Sequence, residues 1–416
     1  MKIGFVSLGC SKNLVDTEMM IKYYQEKGME IVANPVEAEM IGVNTCGFIE
    51  SAKQEAIDTI LEMAEYKKIG VCETLVVTGC LVERYLEELQ QELPEVDLFI
   101  PIRDYDKVFD KLDYMKREIS TTNYAYLKIA EGCSNHCTYC AIPMIRGKYV
   151  SRPFEDVIAE AKKLYQDGFR EIIVIAQDTT KYGIDLYGKS RLAELLQELA
   201  KMNFTWIRFL YAYPETITDE LIQVVKENDN ICDYFDIPIQ HISDSVLKRM
   251  GRKSTSETIW NVVRKIRKEL PNVVLRTSLI VGFPGEMEED FEELKHFVQE
   301  VKFDRLGVFE YSLEDGTPAE KLDGHMAEEI KKQRRNVIME IQQQVSKHNN
   351  ELLIGKELEC KIDSITDGAY IARSYRDVPE EDGVVFVESS KQHQMGDILL
   401  ARVKKAEEYD IIAEEI

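Results

Sequence analysis

The chain has 416 residues, with 75 acidic side chains against 52 basic ones and a formal net charge of −23. That length accommodates two or three domains, each able to bury a core, and 44% apolar residues with only 11 prolines exclude a disordered chain. The charge argues against a broad surface for phosphate backbones and leaves room for a narrow basic patch or a basic partner.

The first apolar run, residues 3–8, is too short for a signal-peptide core or a membrane span, and no stretch reaches 18 apolar residues without charges. A cytoplasmic chain is therefore expected, and its nine cysteines should not form a disulfide framework. Metal ligation, catalysis or plain burial are the options left to them.

Three short apolar runs, 3–8, 40–43 and 75–77, read as buried strands, with helical patterns over 14–27, ended by Gly28, and 51–66. This alternation predicts a parallel α/β sheet. Cys10, Cys46 and Cys80 each sit just past the carboxyl end of one of these strands, 36 and 34 residues apart. Carboxyl ends of a parallel sheet share an edge, where ligand sites form. The three cysteines are either small residues packed in Gly-rich turns or thiolates converging on one metal cluster. Cys72, Cys232 and Cys360 lie elsewhere in the pattern and read as structural.

The stretch 131–147 contains Cys133, Cys137 and Cys140 in a CxxxCxxC run just after an apolar strand at 126–129. Three thiolates this close in sequence can wrap one iron–sulfur cubane and leave one iron open. His136 invites a Cys3His zinc assignment, but it adjoins Cys137, and no second CxxC pair accompanies it. Further strands are expected at 171–176, 206–210, 234–237, 273–281 and 305–311, separated by helices at about 154–167, 190–202, 218–228, 244–269 and 287–301. Six βα units imply a partial barrel, whose active site forms at the carboxyl ends of its strands. There stand Gln177, Asp178, Gln240, His241 and the turn Gly282, Gly285, Glu286. Each has a plainer reading: a tight turn for the glycines, a buried histidine for His241, a loop cap for Asp178.

CxxxCxxC after a barrel's first strand resembles the radical S-adenosylmethionine (SAM) superfamily. With Cys10, Cys46 and Cys80, the whole chain resembles the methylthiotransferases. The segments from Ser7 to Asp16, from Tyr124 to Lys128 and from Gln177 to Gly183 resemble the branch that modifies an aspartate of ribosomal protein S-twelve. Ser11 departs from the proline of many relatives and touches no ligand. The resemblance implies a 4Fe–4S cluster on Cys133, Cys137 and Cys140 that chelates SAM and cleaves it by one electron. The resulting 5′-deoxyadenosyl radical would take hydrogen from the aspartate β-carbon. It implies a second 4Fe–4S cluster on Cys10, Cys46 and Cys80 that carries the sulfur, and a second SAM as methyl donor. Tyr139 and the Gly282, Gly285, Glu286 turn would line the SAM pocket, and Gln177, Asp178, Arg208 and His241 occupy matching barrel-end positions. No acid or base is assigned, and the sulfur and electron donors are unidentified.

After a charged helix at about 326–350, short alternating runs at 358–365, 368–374, 384–387 and 397–403 predict a small antiparallel β-barrel, with turns at Asp367-Gly368 and Asp382-Gly383. It resembles the TRAM domain, which binds RNA in tRNA-modifying relatives. From residue 350 onward there are 16 acidic and 8 basic side chains. Asp377, Glu380, Glu381 and Asp382 cluster as either solvated turn charges or a surface for a basic ribosomal protein. The expected division is 1–118 for the N-terminal α/β domain, 119–350 for the radical SAM domain and 351–416 for the TRAM-like barrel. A monomer without membrane contact is expected. The competing functions are a tRNA adenosine methylthiotransferase and a non-catalytic iron–sulfur factor that binds ribosomes.

Overall fold

The computed structural model describes residues 1–366 and 369–416, so the expected turn at Asp367-Gly368 lies outside the described residues. No helix among the described residues is long and apolar enough to cross a membrane. All nine cysteines are free thiols.

Five parallel strands form the N-terminal sheet: β1 (Lys2–Ser7), β2 (Glu30–Ile31), β3 (Met40–Thr45), β4 (Thr74–Gly79) and β5 (Leu98–Ile100), in the order β2-β1-β3-β4-β5. The edge strands β2 and β5, two and three residues long, are too short to leave a periodic signal and were not anticipated. The first helix, Ser11–Glu26, stops where expected: Gly28 takes φ +83° and its N–H closes on the Gln25 carbonyl.

The central region holds all six expected parallel strands: β6 (Ala125–Lys128), β9 (Glu171–Ile175), β10 (Trp206–Phe209), β11 (Tyr234–Asp236), β12 (Val274–Val281) and β13 (Arg305–Glu310). They form two three-stranded sheets, β6-β9-β10 and β11-β12-β13, joined by a bridge between Ile207 and Ile231. Between β6 and β9, the two-residue strands β7 (Ala130–Glu131) and β8 (Val150–Ser151) pair antiparallel and close the base of the cysteine loop. The single helix expected at 244–269 is two helices, Asp244–Arg249 and Ser256–Glu269. Gly251 at φ +69° ends the first, and the Thr255 side chain caps the second.

The C-terminal strands β14 (Glu357–Thr366), β15 (Ala369–Arg373), β16 (Val385–Glu388), β17 (Ile398–Ala406) and β18 (Ile411–Glu415) close a barrel in the order β14-β15-β16-β18-β17. It is not wholly antiparallel, because β16 and β18 run parallel. The fifth strand, β18, is short and half-polar and escaped the sequence pattern.

The acidic cluster after β15 is only partly a surface: Glu380 and Glu381 are exposed, whereas the Asp377 and Asp382 side chains are buried. Val378 is fully buried among Tyr126, Ile173, Trp206 and Tyr234, so this segment plugs one end of the central barrel. Asp377 pairs with Arg305 at 2.5 Å, Asp382 accepts from Tyr234 Oη at 2.6 Å, and Glu381 pairs with Arg276. The sequence reading counted these carboxylates without their partners, which lie 70 to 150 residues away in the chain.

A second buried knot fixes the plug. Glu171, at the start of β9, accepts from Arg208 at 3.0 Å, Arg373 at 3.1 Å and Lys361 at 3.3 Å, and Arg208 donates onward to the Ser374 carbonyl. Burial works against the Glu171 charge, but Arg373, Arg208 and Lys361 outweigh it and hold the carboxyl at about 2. Glu171→Gln is expected to cost about 3 kcal/mol by stranding three cations, seen as a lower urea midpoint. Because the folded pKa is depressed, the contribution of Glu171 is fully present above the ordinary value of 4.5 and is lost as pH falls toward 2. The gap between wild type and variant should close over that window.

Candidate active site

Because β1, β3 and β4 lie side by side and parallel, Cys10, Cys46 and Cys80 emerge along one sheet edge. Glycines make the close approach possible. A Cβ on Gly9, which has φ +82°, would stand 2.9 Å from the Cys46 Sγ. One on Gly79 would lie 2.4 Å from the Thr45 carbonyl oxygen. Asn13 fastens the loops, donating to the Leu8 carbonyl at 2.8 Å and the Thr45 carbonyl at 3.2 Å. Cys10 caps the helix Ser11–Glu26, and Cys80 is the first residue of the helix Cys80–Glu92, so two thiols stand at helix N-termini, which favour negative charge.

The second triplet is held just as closely. Gly132 at φ +74° lets the loop pass where a Cβ would lie 2.2 Å from the Lys148 carbonyl oxygen. Thr138 is anchored at the helix break, its N–H on the Met250 carbonyl and its hydroxyl on the Arg249 carbonyl. Arg252, in the same break, lies 3.9 Å from the Cys137 Sγ and stacks over Tyr213. Asn135 donates to Asp178 at 2.8 Å, fixing the loop from the end of β9.

All six thiols line one cavity of about 430 Å³. Between the triplets stands a buried charge network. Lys128 donates to Asp16 at 2.6 Å and to Glu131 at 2.7 Å. Arg146 pairs with Asp16 and Glu131, donates to Asn13 at 2.8 Å and lies 3.5 Å from the Cys80 Sγ. Burial pushes the Cys80 thiol up to about 11, while Arg146 pulls it back. Burial likewise raises Cys46, Cys133 and Cys140.

The donor set, three thiols in each triplet, is of the kind an iron–sulfur cubane takes, in which each thiolate binds a different iron. Backbone N–H groups of Gly47 and Phe48 face Cys46, that of Asn135 faces Cys133 and that of Ile142 faces Cys140. Hydrogen bonds of this kind stabilise ligating sulfur. The Gln177 Oε1 and Tyr311 Oη atoms on the cavity wall are buried without a partner, leaving polar contacts for a ligand.

The comparisons agree with this geometry. Residues 127–298 match the radical SAM superfamily, residues 2–101 the uncharacterized protein family UPF0004, and residues 354–416 the TRAM domain. The chain is 54% identical to the ribosomal protein uS12 methylthiotransferase RimO of Alkaliphilus oremlandii, covering 100% of this chain and 99% of that one. It is 52% identical to the protein of the same name from Clostridioides difficile, covering 100% and 98%. The chain belongs to the RimO family of radical SAM methylthiotransferases. In fold it resembles the radical SAM methyltransferase TsrM of Kitasatospora setae, with a TM-score of 0.57 at 12% identity over 76% of each chain. It also resembles the cobalamin-dependent SAM radical enzyme OxsB, at 0.51 and 13% over 82% of this chain and 56% of that one.

Of the other expected residues in this RimO-family chain, Tyr139 and Gln177 line the cavity. Asp178, Arg208, His241, Gly282, Gly285 and Glu286 do not. Asp178 is fully buried on Asn135 and Thr180, and Arg208 sits in the Glu171 knot. His241 is fully buried, accepts from the Ser243 N–H at 3.0 Å and is pushed down to about 3 by burial, so it is a neutral imidazole. Glu286 folds back on the Gly282 N–H at 2.8 Å and pairs with Arg334, while a Cβ on Gly285 would meet Arg249 at 2.6 Å. That turn is packed by protein on the sides its glycines present.

Sequence reading missed Lys12, Asp16, Arg146, Tyr211 and Arg276. Lys12 and Asp16 are four residues apart just after Cys10, and Arg146 follows Cys140 by six residues, which is the one signal that pointed to them. Asp16→Asn removes the carboxylate shared by Lys128 and Arg146. It is expected to destabilise the protein by about 3 kcal/mol, measured by chemical denaturation, and to lower the iron retained after reconstitution.

Proposed function

We propose that this protein is a uS12 methylthiotransferase that exchanges one hydrogen on the β-carbon of an aspartate for a methylthio group. The observation that carries the reading is the meeting of two cysteine triplets on one cavity, bridged by Arg146. Cys133, Cys137 and Cys140 would hold one 4Fe–4S cluster with SAM, and Cys10, Cys46 and Cys80 a second. When bound, these groups supply one-electron cleavage of SAM, hydrogen abstraction and delivery of a sulfur methylated by a second SAM.

The chain's own residues prepare the site. Arg146 and two helix N-termini place positive charge beside the N-terminal thiols, which favours an anionic sulfur cluster there. Arg252 does the same beside Cys137. Tyr139 and Gln177 are the cofactor contacts we retain from the sequence, with the Gln177 amide oxygen free to accept. Asp178 positions the cysteine loop through Asn135, and Arg208 positions the C-terminal plug. Phe48, Ile49, Ile142 and Phe309 form an apolar rim that limits water around a reactive carbon.

The functional units follow the divisions 1–118, 119–350 and 351–416. Each carries its own core, and the last closes the central barrel instead of presenting a basic face to RNA. A cytoplasmic monomer acting on a basic ribosomal protein fits the net charge of −23.

Reconstituted enzyme with SAM and a reductant should add a methylthio mass to uS12 and none to tRNA. Gain on tRNA alone would overturn the substrate, and absence of 5′-deoxyadenosine would favour a non-catalytic factor. Iron counting should give about eight per chain. Replacing Cys10, Cys46 and Cys80 together by serine should bring this to about four and abolish methylthiolation while 5′-deoxyadenosine still forms.

A further inference from the structure

One cation on the cavity wall makes no direct ion pair: the Glu381, Asp236 and Glu131 carboxylates act on it only from a distance. Arg146 is matched by Asp16 and Glu131, and Arg276 by Asp236 and Glu381. Glu314 on the wall pairs with Arg84 at 2.7 Å, and Glu310 with Arg335 at 3.5 Å. Lys12 lines the same cavity, is 7% exposed and has no ionic partner among the described residues. Its ammonium lies 3.4 Å from the centroid of the Tyr211 ring, a cation–π contact that steadies it without neutralising it.

That platform is built at a cost in backbone strain. Tyr211 has φ +61°, a left-handed conformation that a bulky residue rarely adopts. Two anchors impose it: the Tyr211 N–H donates to Asp236 at 2.9 Å, and its carbonyl accepts from the Thr179 N–H at 3.2 Å. Strain held in place by surrounding bonds marks a position whose geometry matters to the site. Lys12 is also next but one to Cys10, on the side where the sulfur would be delivered. A buried cation without a direct partner gains an ion pair when an anionic ligand arrives.

We propose that the Lys12 ammonium, held over Tyr211, receives the carboxylate of the substrate aspartate. The inference rests on the aspartate reading above and deepens it. The reacting β-carbon is bonded directly to the carboxyl carbon, so anchoring the carboxylate on Lys12 presents that carbon to the space between the thiol triplets. The same device selects the substrate class. A side-chain carboxylate satisfies Lys12, whereas a neutral asparagine or nucleobase leaves it unpaired, and specificity of this size comes from the penalty on the wrong ligand.

The test uses full-length reconstituted enzyme with recombinant uS12 and with uS12 whose target aspartate is replaced by asparagine. Wild type should bind the aspartate form about tenfold more tightly. Lys12→Met should erase that preference and raise KM for uS12 about tenfold with KM for SAM unchanged, and Lys12→Arg should restore most of the preference. A Lys12→Met enzyme that still prefers aspartate, or one whose only defect is in KM for SAM or in iron content, overturns the proposal. The comparison of the two uS12 forms on wild type needs no enzyme variant, and absence of a preference there also overturns it. If wild type modifies uS12 but Lys12→Met is indifferent, the inference alone falls. If wild type modifies no uS12, the substrate reading falls and takes the inference with it.

Discussion

Two carboxylates and two cations buried together, Asp16, Glu131, Lys128 and Arg146, hold this structure's chemistry in one place. Any one of these charges alone in the interior would be expensive, since losing water costs several kcal/mol per ion. Together they satisfy one another, but only when the helix Ser11–Glu26 and the barrel strand β6 with its cysteine loop are docked. Asp16 comes from the first body, and the other three come from the second. The network therefore makes docking and charge neutrality the same event. Because Arg146 also reaches Asn13 and the Cys80 Sγ, the docked state is the one in which the two thiol triplets face each other.

The cavity wall shows where this order is used. His136, Tyr211 and Gln240 all line the cavity and all take positive φ, at 56°, 61° and 73°. None is glycine, and at two of them surrounding bonds hold the conformation in place. For Tyr211 these are Asp236 and Thr179, and for Gln240 the N–H donates to the Ser278 carbonyl and the carbonyl accepts from the Ile280 N–H. Residues so constrained aim side chains inward at the end of the strands, where a regular strand would have pointed them along the sheet faces. The rigid barrel supplies the restraint and the loops supply the chemistry, which is the usual division of labour in parallel barrels.

The sequence was legible where chemistry and periodicity are local. The CxxxCxxC loop, the six central strands and the three cysteines after β1, β3 and β4 all declare themselves through neighbours in the chain. What it hid depends on residues far apart. Nothing near Arg208 announces Glu171 and the Ser374 carbonyl as its partners, so a barrel-end arginine read as a ligand contact is instead a clamp on the C-terminal segment. His241 was misleading for the opposite reason: a polar residue after a strand invites a functional role, yet this one is fully buried and neutral. The break at Gly251 was readable in principle, since the buried residues Val246 and Leu247 fall on nearly the opposite side of a continuous helix from Ile259, Val262, Val263 and Ile266. Without that break, Arg252 and the anchor for Thr138 would not exist.

The acidic C-terminal segment carries the argument furthest. Counted as a list, Asp377, Glu380, Glu381 and Asp382 suggest a surface that repels nucleic acid. Placed in three dimensions, Asp377, Glu381 and Asp382 are the counter-charges of Arg305 and Arg276 on the barrel wall, and Val378 is the apolar plug between them. A basic partner would have to break buried pairs to use Asp377 and Asp382 and finds only Glu380 and Glu381 exposed, so part of the preference for a protein substrate must come from elsewhere. It comes from what the plug leaves over. Arg276 is matched by Asp236 of β11 and by Glu381 of the C-terminal segment, while the docking network matches Arg146. Lys12 is then the one cation among the described residues lining the cavity that makes no direct ion pair. The third domain thus bears on the site without touching substrate: Glu381 adds a second carboxylate to Arg276 and acts on Lys12 only from a distance, which leaves the Lys12 ammonium without a direct partner for an incoming carboxylate to meet.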